Sequence, residues 1–232
     1  MEKKPGDFFI GVVNFFAILL PGALLSFFSI DVVHAYVNNR PYLFGNIQTD
    51  TQGEAQNWVV FIVASYLLGQ FIFLLGSPLD ILYDLVRKGF SSDLIKTKWL
   101  KRKWIQNERL YKSARTLKEK YVEDSASEIV NTFQWAKANV QLRFPAAADE
   151  IHRLEADQKF FRGLIVVLIA ICFLFIFVSK TGWTETVPYL VVMALSFWRY
   201  VDQRRKSTNL AYTYLIALEQ LPKETAQESK AK

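Results

Sequence analysis

Two aspartates, Asp80 and Asp84, are the side chains in this sequence best spaced for acid–base or metal chemistry. Four residues apart on a helix, they share one face, where paired carboxylates can bind a cation or share a proton. No histidine, cysteine or third carboxylate follows at ligand spacing, and Arg87 and Lys88 are close enough to neutralise them. The favoured interpretation is a solvated helix start, and the alternative is a lipid-modifying enzyme that uses both carboxylates.

A basic run with two tryptophans forms a second candidate site. Its members are Lys96, Lys98, Trp99, Lys101, Arg102, Lys103 and Trp104. Basic side chains near a cytoplasmic leaflet attract anionic lipid, each contributing about 1 kcal/mol, and tryptophan prefers the same interface. We predict lipid or anion contact here. A solvated helix face, and a nucleotide or nucleic acid as ligand, are the less favoured alternatives.

The remaining residues that could do chemistry do not combine into a site. His34 and His152 fall on opposite sides of the membrane predicted below, and the single cysteine, Cys172, cannot form an intrachain disulfide. The sequence contains no glycine-rich phosphate loop, Ser-His-Asp set or metal-ligand motif. It therefore predicts a protein that is not an enzyme and uses no cofactor or metal.

Four uncharged apolar blocks indicate the class of protein. They occupy residues 8–30, 58–76, 163–179 and 186–198. About 20 helical residues cross a bilayer core, so the first two blocks are long enough and the third is nearly so. The fourth is short, but it spans if Trp183 and Trp198 mark the interfaces. With 51% hydrophobic residues, 19 Phe and only 10 Gly, the composition excludes intrinsic disorder.

The distribution of lysine and arginine predicts the orientation of these blocks. If all four cross with both ends inside, 26 of the 28 basic residues are cytoplasmic. If the fourth does not cross, the seven basic residues that follow it are external. The positive-inside rule favours the first arrangement. We therefore predict a multi-pass protein of the inner membrane with both termini in the cytoplasm.

The predicted fold class is an all-α membrane protein with four transmembrane helices. Residues 1–76 contain the first two, joined by an external loop at 31–57. Residues 77–160 form a basic, helical cytoplasmic segment, residues 161–200 a transmembrane hairpin, and residues 201–232 a cytoplasmic C-terminal helix and tail.

Local signals set several helix boundaries. The dipeptide before Pro78 predicts a boundary just past the second block. Ser125 and Glu128 form a capping box that should open the next helix. Pro145 should start a helix with no breaker except Gly163 before the third block, so the two are predicted to be continuous.

The last helix is bounded by two prolines in this interpretation. Pro188 suits the first turn of the fourth span, where its missing N–H costs nothing. The helix should then continue to Leu221, where Pro222 stops it.

Small and polar residues on the first two blocks form the third candidate site. They are Asn14, Pro21, Gly22, Ser26, Ser65, Tyr66, Gly69 and Gln70. The favoured role is close helix packing, and the alternative is a polar stripe that faces a pore in an oligomer. The absence of ionisable residues deep in the blocks argues against a proton relay or an ion-coupled carrier.

By its layout alone, the chain resembles small multi-span bacterial membrane effectors of antiviral defence. That resemblance implies a cytoplasmic module that senses a signal and spans that perturb the membrane after self-association. The leading hypothesis is accordingly a homo-oligomeric, pore-forming or membrane-perturbing effector. The alternative is a scaffold or adaptor that recruits a cytoplasmic protein partner through residues 87–142. In either case the lipid bilayer is the first predicted partner.

Overall fold

The protein is all-helical in the part of the chain that the structure describes. A computed structural model describes residues 5–37, 54–91, 98–122, 129–177 and 183–220. Over these ranges there are seven main helices and no strand. They are α1 Pro5–Val37, α2 Glu54–Leu75, α3 Pro78–Ser91, α4 Lys98–Tyr121, α5 Thr132–Arg143, α6 Pro145–Phe177 and α7 Trp183–Gln220. The all-α prediction is confirmed.

The chain divides into two compact units. Unit 1 consists of Met1–Tyr83 and Ala156–Asp202, and unit 2 consists of Asp84–Glu155 and Gln203–Lys232. All four apolar blocks belong to unit 1. The divisions after residues 83, 155 and 202 fall inside α3, α6 and α7, so each of these helices contributes residues to both units.

The core of unit 1 collects side chains from all four apolar blocks. Ile72 of α2 packs with Val167 and Ile171 of α6, and all three are buried. Around them lie partly buried side chains from each of the four helices, among them Leu24, Phe28, Leu68, Val166 and Tyr189. The four blocks therefore form one helical bundle.

Two helices are long and apolar enough to cross a membrane among the described residues. The segments are Gly11–Ser29 in α1 and Trp58–Leu75 in α2. Only 22% of the first and 17% of the second is buried inside the protein. A core helix of a water-soluble domain would be mostly buried, so this surface fits a lipid environment better. The two helices are thus possible membrane spans and support membrane association.

The bundle of unit 1 also exposes large apolar side chains on α6 and α7. Exposed examples are Ile169, Phe173, Val191 and Leu195. Exposed apolar side chains therefore occur on all four blocks, including the two that are shorter than a full span within the described residues.

Unit 2 has a separate core, in which alanine is the most frequent residue. Its buried members are Ala114, Ala136, Val140, Ala147, Ala148, Ile151, Ala211, Tyr212 and Leu215. They come from α4, α5, α6 and α7, and the alanines allow these helices to approach closely. Unit 2 is thus a second helical bundle.

Several predicted helix boundaries are confirmed. α2 ends at Leu75 and α3 begins at Pro78, as the proline indicates. α6 begins at Pro145 and runs unbroken through Gly163 to Phe177. α7 extends to Gln220, one residue before the predicted end.

Two other boundaries differ from the predictions. The helix through Val140 begins at Thr132, and its N-cap is Asn131, whose side chain accepts a hydrogen bond of 2.8 Å from the N–H of Phe133. Ser125, predicted as the cap, lies outside the described residues, and Asn131 occupies that role because its amide oxygen is in position. Pro188 lies inside α7 rather than in its first turn, because the helix already starts at Trp183.

Candidate functional site

A buried arginine lies at the start of the apolar part of α6. The side chain of Arg162 is only 10% exposed. Its guanidinium carbon lies 3.8 Å from the centroid of the Phe73 ring of α2, which is cation–π geometry. Gly76 makes room for it, since a Cβ atom there would lie 2.8 Å from the arginine Cγ. The arginine is therefore held against the end of α2.

The guanidinium donates hydrogen bonds to two groups on the α2–α3 segment. Nη2 donates to the backbone carbonyl of Phe73 at 3.0 Å, and Nη1 donates to Oδ2 of Asp80 at 3.3 Å. The carbonyl of Phe73 belongs to the last turn of α2, where carbonyls lack helical partners. Arg162 thus satisfies a helix terminus and neutralises a carboxylate.

The same carboxylate also connects to α7. The hydroxyl of Tyr200 donates to Oδ1 of Asp80 at 2.6 Å, and Tyr200 is fully buried. The Tyr200 ring lies edge-on to Tyr83, with centroids 6.4 Å apart, and beside Phe197. We call Asp80, Arg162 and Tyr200 the charged cluster. It joins three helices of unit 1: α3, α6 and α7.

The first apolar helix makes its own polar contact with α6. Nζ of Lys159, three residues before Arg162, donates to Oδ1 of Asn14 at 3.2 Å. Asn14, one of the predicted pore or packing residues, is therefore bonded within the chain.

The contacts of these groups join helices to one another. Both oxygens of Asp80 already accept hydrogen bonds. Asp84 forms an ion pair with Arg87 at 3.9 Å, so the two aspartates have different cationic partners. In the ranges that the structure describes, no group of three His, Cys, Asp or Glu side chains could hold a metal ion.

Sequence reasoning did not identify Arg162 as a functional residue. It attributed neutralisation of Asp80 to Arg87 and Lys88, the nearest cations along the chain, whereas Arg162 provides it. A signal was present, because Arg162 directly precedes an apolar block and Gly76 ends the previous one. A buried arginine needs a partner, but the sequence did not indicate which one.

The small residues of the first two blocks lie between α1 and α2. A Cβ atom on Gly22 would overlap the backbone carbonyl of Ser65 and come within 2.7 Å of the backbone nitrogen of Gly69. A Cβ atom on Gly69 would likewise overlap the carbonyl of Ile18. The hydroxyls of Ser26 and Ser65 are 3.5 Å apart. The two backbones are in direct contact here, as in small-residue packing of membrane helices.

The other residues of that group have separate positions. Pro21 is buried, 3.0 Å from where a Cβ atom on Gly163 would lie. Tyr66 stacks on Phe15, with ring centroids 5.2 Å apart and planes at 22°. Gln70 is partly buried on α2.

The basic run is only partly described. Lys96 lies outside the described residues, and α4 begins at Lys98. The side chains of Lys98, Trp99, Lys101, Arg102 and Lys103 also lie outside the description. Trp104 is buried, which places its indole inside the protein rather than on a surface that faces lipid.

Unit 2 contains a charged group of its own. Lys137 of α5 donates to Oε2 of Glu155 of α6 at 2.5 Å, and His152 lies 3.5 Å from the same oxygen. Burial raises the pKa of the Glu155 carboxyl, but hydrogen bonds and charge from His152 and Lys137 outweigh it and lower that pKa below its ordinary value. The carboxylate is therefore ionised at neutral pH and ties α5 to α6.

Comparison with known proteins adds no relative to this description. No protein-family model matches the chain, no curated protein matches it, and no solved structure matches it. Functional inference therefore rests on the residues and their geometry.

Proposed function

We propose that the protein is a non-enzymatic, four-span membrane protein in which a cytoplasmic helical unit controls a membrane-embedded one. In this proposal unit 1 lies in the cytoplasmic membrane, and unit 2 and both ends of the chain face the cytoplasm. The charge distribution supports that orientation, since 26 of the 28 basic residues are then inside. A C-terminal reporter that is active only after export would remain silent.

The observation that carries the proposal is the continuity of α6 and α7. Each is a single helix that contributes to the core of unit 2 and to the apolar bundle of unit 1. A helix transmits displacement along its length because its backbone hydrogen bonds make it stiff. A signal bound to unit 2 would therefore reach the membrane helices without a flexible linker.

The sharper form of the proposal is a self-associated assembly that perturbs the membrane. The contact between Gly22 and Gly69 uses the small residues within one chain. If the active assembly exposes them, then α1 and α2 must separate. A covalent link between the two helices would then block activity.

The Ser26–Ser65 contact allows that link to be made. The hydroxyls of Ser26 and Ser65 lie 3.5 Å apart, so cysteines at these two positions place their sulfur atoms on facing sides of α1 and α2, where oxidation can link them. We expect cells to depolarise when they are induced to make the wild-type protein. Cells that make the Ser26→Cys/Ser65→Cys variant, in a Cys172→Ala background, should not depolarise while the disulfide is formed. The same cells should depolarise after the disulfide is reduced. The reduced double variant is the control for the substitutions. Unchanged membrane potential under full induction of wild-type protein would contradict the membrane-perturbing form.

A scaffold or adaptor is the second candidate, favoured by apolar side chains on the surface of unit 2. Leu142 is 84% exposed at the end of α5, and Phe144 is exposed beside it. Exposed apolar side chains of this size are typical of protein contacts. Leu142→Ser with Phe144→Ser should then lose a partner that wild-type protein retains in detergent. An Arg115→Ser variant, changed at an exposed polar site of α4, should retain it.

A further inference from the structure

Helix α3 has an apolar face that the described residues leave exposed. Ile81 is 73% exposed, Leu85 66% and Leu82 43%. At about 100° per residue these three side chains lie within roughly a third of the helix circumference. They therefore form one continuous stripe, which we call the α3 stripe.

The other sides of α3 have different environments. Tyr83 is buried and packs edge-on against Tyr200, so its side of the helix faces unit 1. Asp80 is bound by the charged cluster, and Asp84 pairs with Arg87 on the polar side. The helix is thus strongly amphipathic, with one apolar side packed in the protein and the adjacent apolar side uncovered.

The α3 stripe follows directly after the apolar surface of α2. Leu74 and Leu75, the last residues of α2, are both exposed. Only Gly76 and Ser77 separate the two helices, and hydrogen bonds fix this turn: the Ser77 hydroxyl donates to the Leu74 carbonyl at 2.7 Å, and the N–H of Leu79 donates to the Gly76 carbonyl at 3.0 Å. Exposed apolar side chains therefore end α2 and recur on α3 after one short turn that contains the exposed Ser77.

We propose that α3 is an interfacial helix whose stripe inserts at the headgroup–acyl boundary of the cytoplasmic leaflet. Amphipathic helices lie in this plane with the apolar face inserted and basic residues near lipid phosphates. Lys88, exposed in the last turn, supplies a cation on the edge of the stripe. The bilayer is the favoured occupant because the stripe begins six residues after the end of a possible membrane span, Trp58–Leu75, whose last side chains are exposed and apolar. This inference rests on the proposed membrane location of unit 1.

The test places a fluorescent label at single cysteines in the full chain. The background is Cys172→Ala, which removes the one native thiol. Labels at Ile81→Cys and Leu85→Cys measure the environment of the stripe. Two positions are used so that the test can still be made if one variant does not fold. Leu67→Cys, exposed in the middle of α2, is the lipid control, and Arg115→Cys, exposed on α4, is the water control. Each protein is labelled with an environment-sensitive dye and reconstituted into vesicles of equal phosphatidylcholine and phosphatidylglycerol.

The expected result is intermediate depth for the stripe. Labels at residues 81 and 85 should be quenched more by spin-labelled lipid with its label near the headgroup than by lipid labelled at the chain end. The label at residue 67 should show the opposite order. Iodide in the water should quench the stripe labels severalfold less than the label at residue 115.

Three other results would overturn the inference, and they differ in meaning. If iodide quenches the stripe labels as strongly as the water control while residue 67 is quenched by lipid, then α3 is in water and the membrane proposal stands. If neither iodide nor lipid quenches the stripe labels, then protein covers the stripe, either a second copy or another part of the same chain. If iodide also quenches residue 67, the membrane proposal fails together with the inference.

Discussion

Replacing Arg162 with methionine should destabilise unit 1, and the structure indicates by how much. The substitution keeps much of the side-chain length but removes the charge, the donor to the Phe73 carbonyl and the contact with the Phe73 ring. A hydrogen bond from a charged donor contributes about 1.5–3 kcal/mol, and a desolvated cation–π contact about 2 kcal/mol. These values are not additive, and we expect the free energy of unfolding to fall by about 3 kcal/mol.

The ion pair with Asp80 should account for a minor part of that loss. The aspartate side chain is 39% exposed, so solvent screens the pair and its contribution is about 1 kcal/mol. A double-mutant cycle with Arg162→Met and Asp80→Asn measures this coupling directly. Arg162→Lys is the matched control, because it keeps the charge but loses the planar contact with the ring and the second donor. It should lie between wild type and Arg162→Met.

The assay is unfolding of the whole protein in mixed micelles, followed by far-ultraviolet circular dichroism. Tyr200→Phe, which removes one donor to the carboxylate and keeps the ring, should cost about 1 kcal/mol. The reasoning is refuted if Arg162→Met unfolds within about 0.5 kcal/mol of wild type, the range of ordinary surface substitutions. It is also refuted if Arg162→Lys is as destabilised as Arg162→Met.

Three further predictions concern other contacts. Gly22→Ala should separate α1 from α2 and lower the free energy of unfolding by about 1–3 kcal/mol. Gly11 has open space around it, so Gly11→Ala should not lower the free energy of unfolding in the same assay. Because the pKa of Glu155 is lowered in the folded protein, its contribution to stability is complete above the ordinary glutamate pKa and is lost as pH falls through the folded pKa. Amide hydrogen exchange in α5 should therefore show less protection at acid pH, and Glu155→Gln should remove this pH dependence. If the pH dependence persists in Glu155→Gln, the assignment to Glu155 is wrong. Asn131→Ala should cost about 1 kcal/mol through loss of the α5 cap and Asn131→Gly only a few tenths, measured by thermal unfolding; equal effects would argue against capping.

The features that could be predicted from the sequence depend on neighbouring residues. The start of α6 at Pro145 follows from the fixed φ angle of proline, and its continuity follows from the absence of a strong breaker. Pro188 shows the limit of this reasoning. The preference of proline for the first turn did not set this boundary, because α7 begins at Trp183 and contains Pro188 in its second turn.

The features that could not be predicted depend on contacts between distant residues. Asp80 and Arg162 are 82 positions apart, and the sequence alone offered the closer Arg87 as a partner. The small residues of α1 and α2 indicated close packing as a possibility, but the register that places Gly22 against Ser65 depends on how two surfaces fit. Periodicity identifies a face of a helix without identifying what covers it.

The sequence separation within the charged cluster also has a consequence for biogenesis. The ribosome adds about 5–20 residues per second, so Arg162 emerges about 4–16 s after Asp80. The contact between Gly22 and Gly69, by contrast, can form as soon as the second helix has been made. Helices α1 and α2 can therefore pack together early, whereas Asp80 meets Arg162 only after this part of α6 has been synthesised. A nascent chain stalled in this interval would present the Asp80 carboxylate without the arginine that binds it in the complete chain.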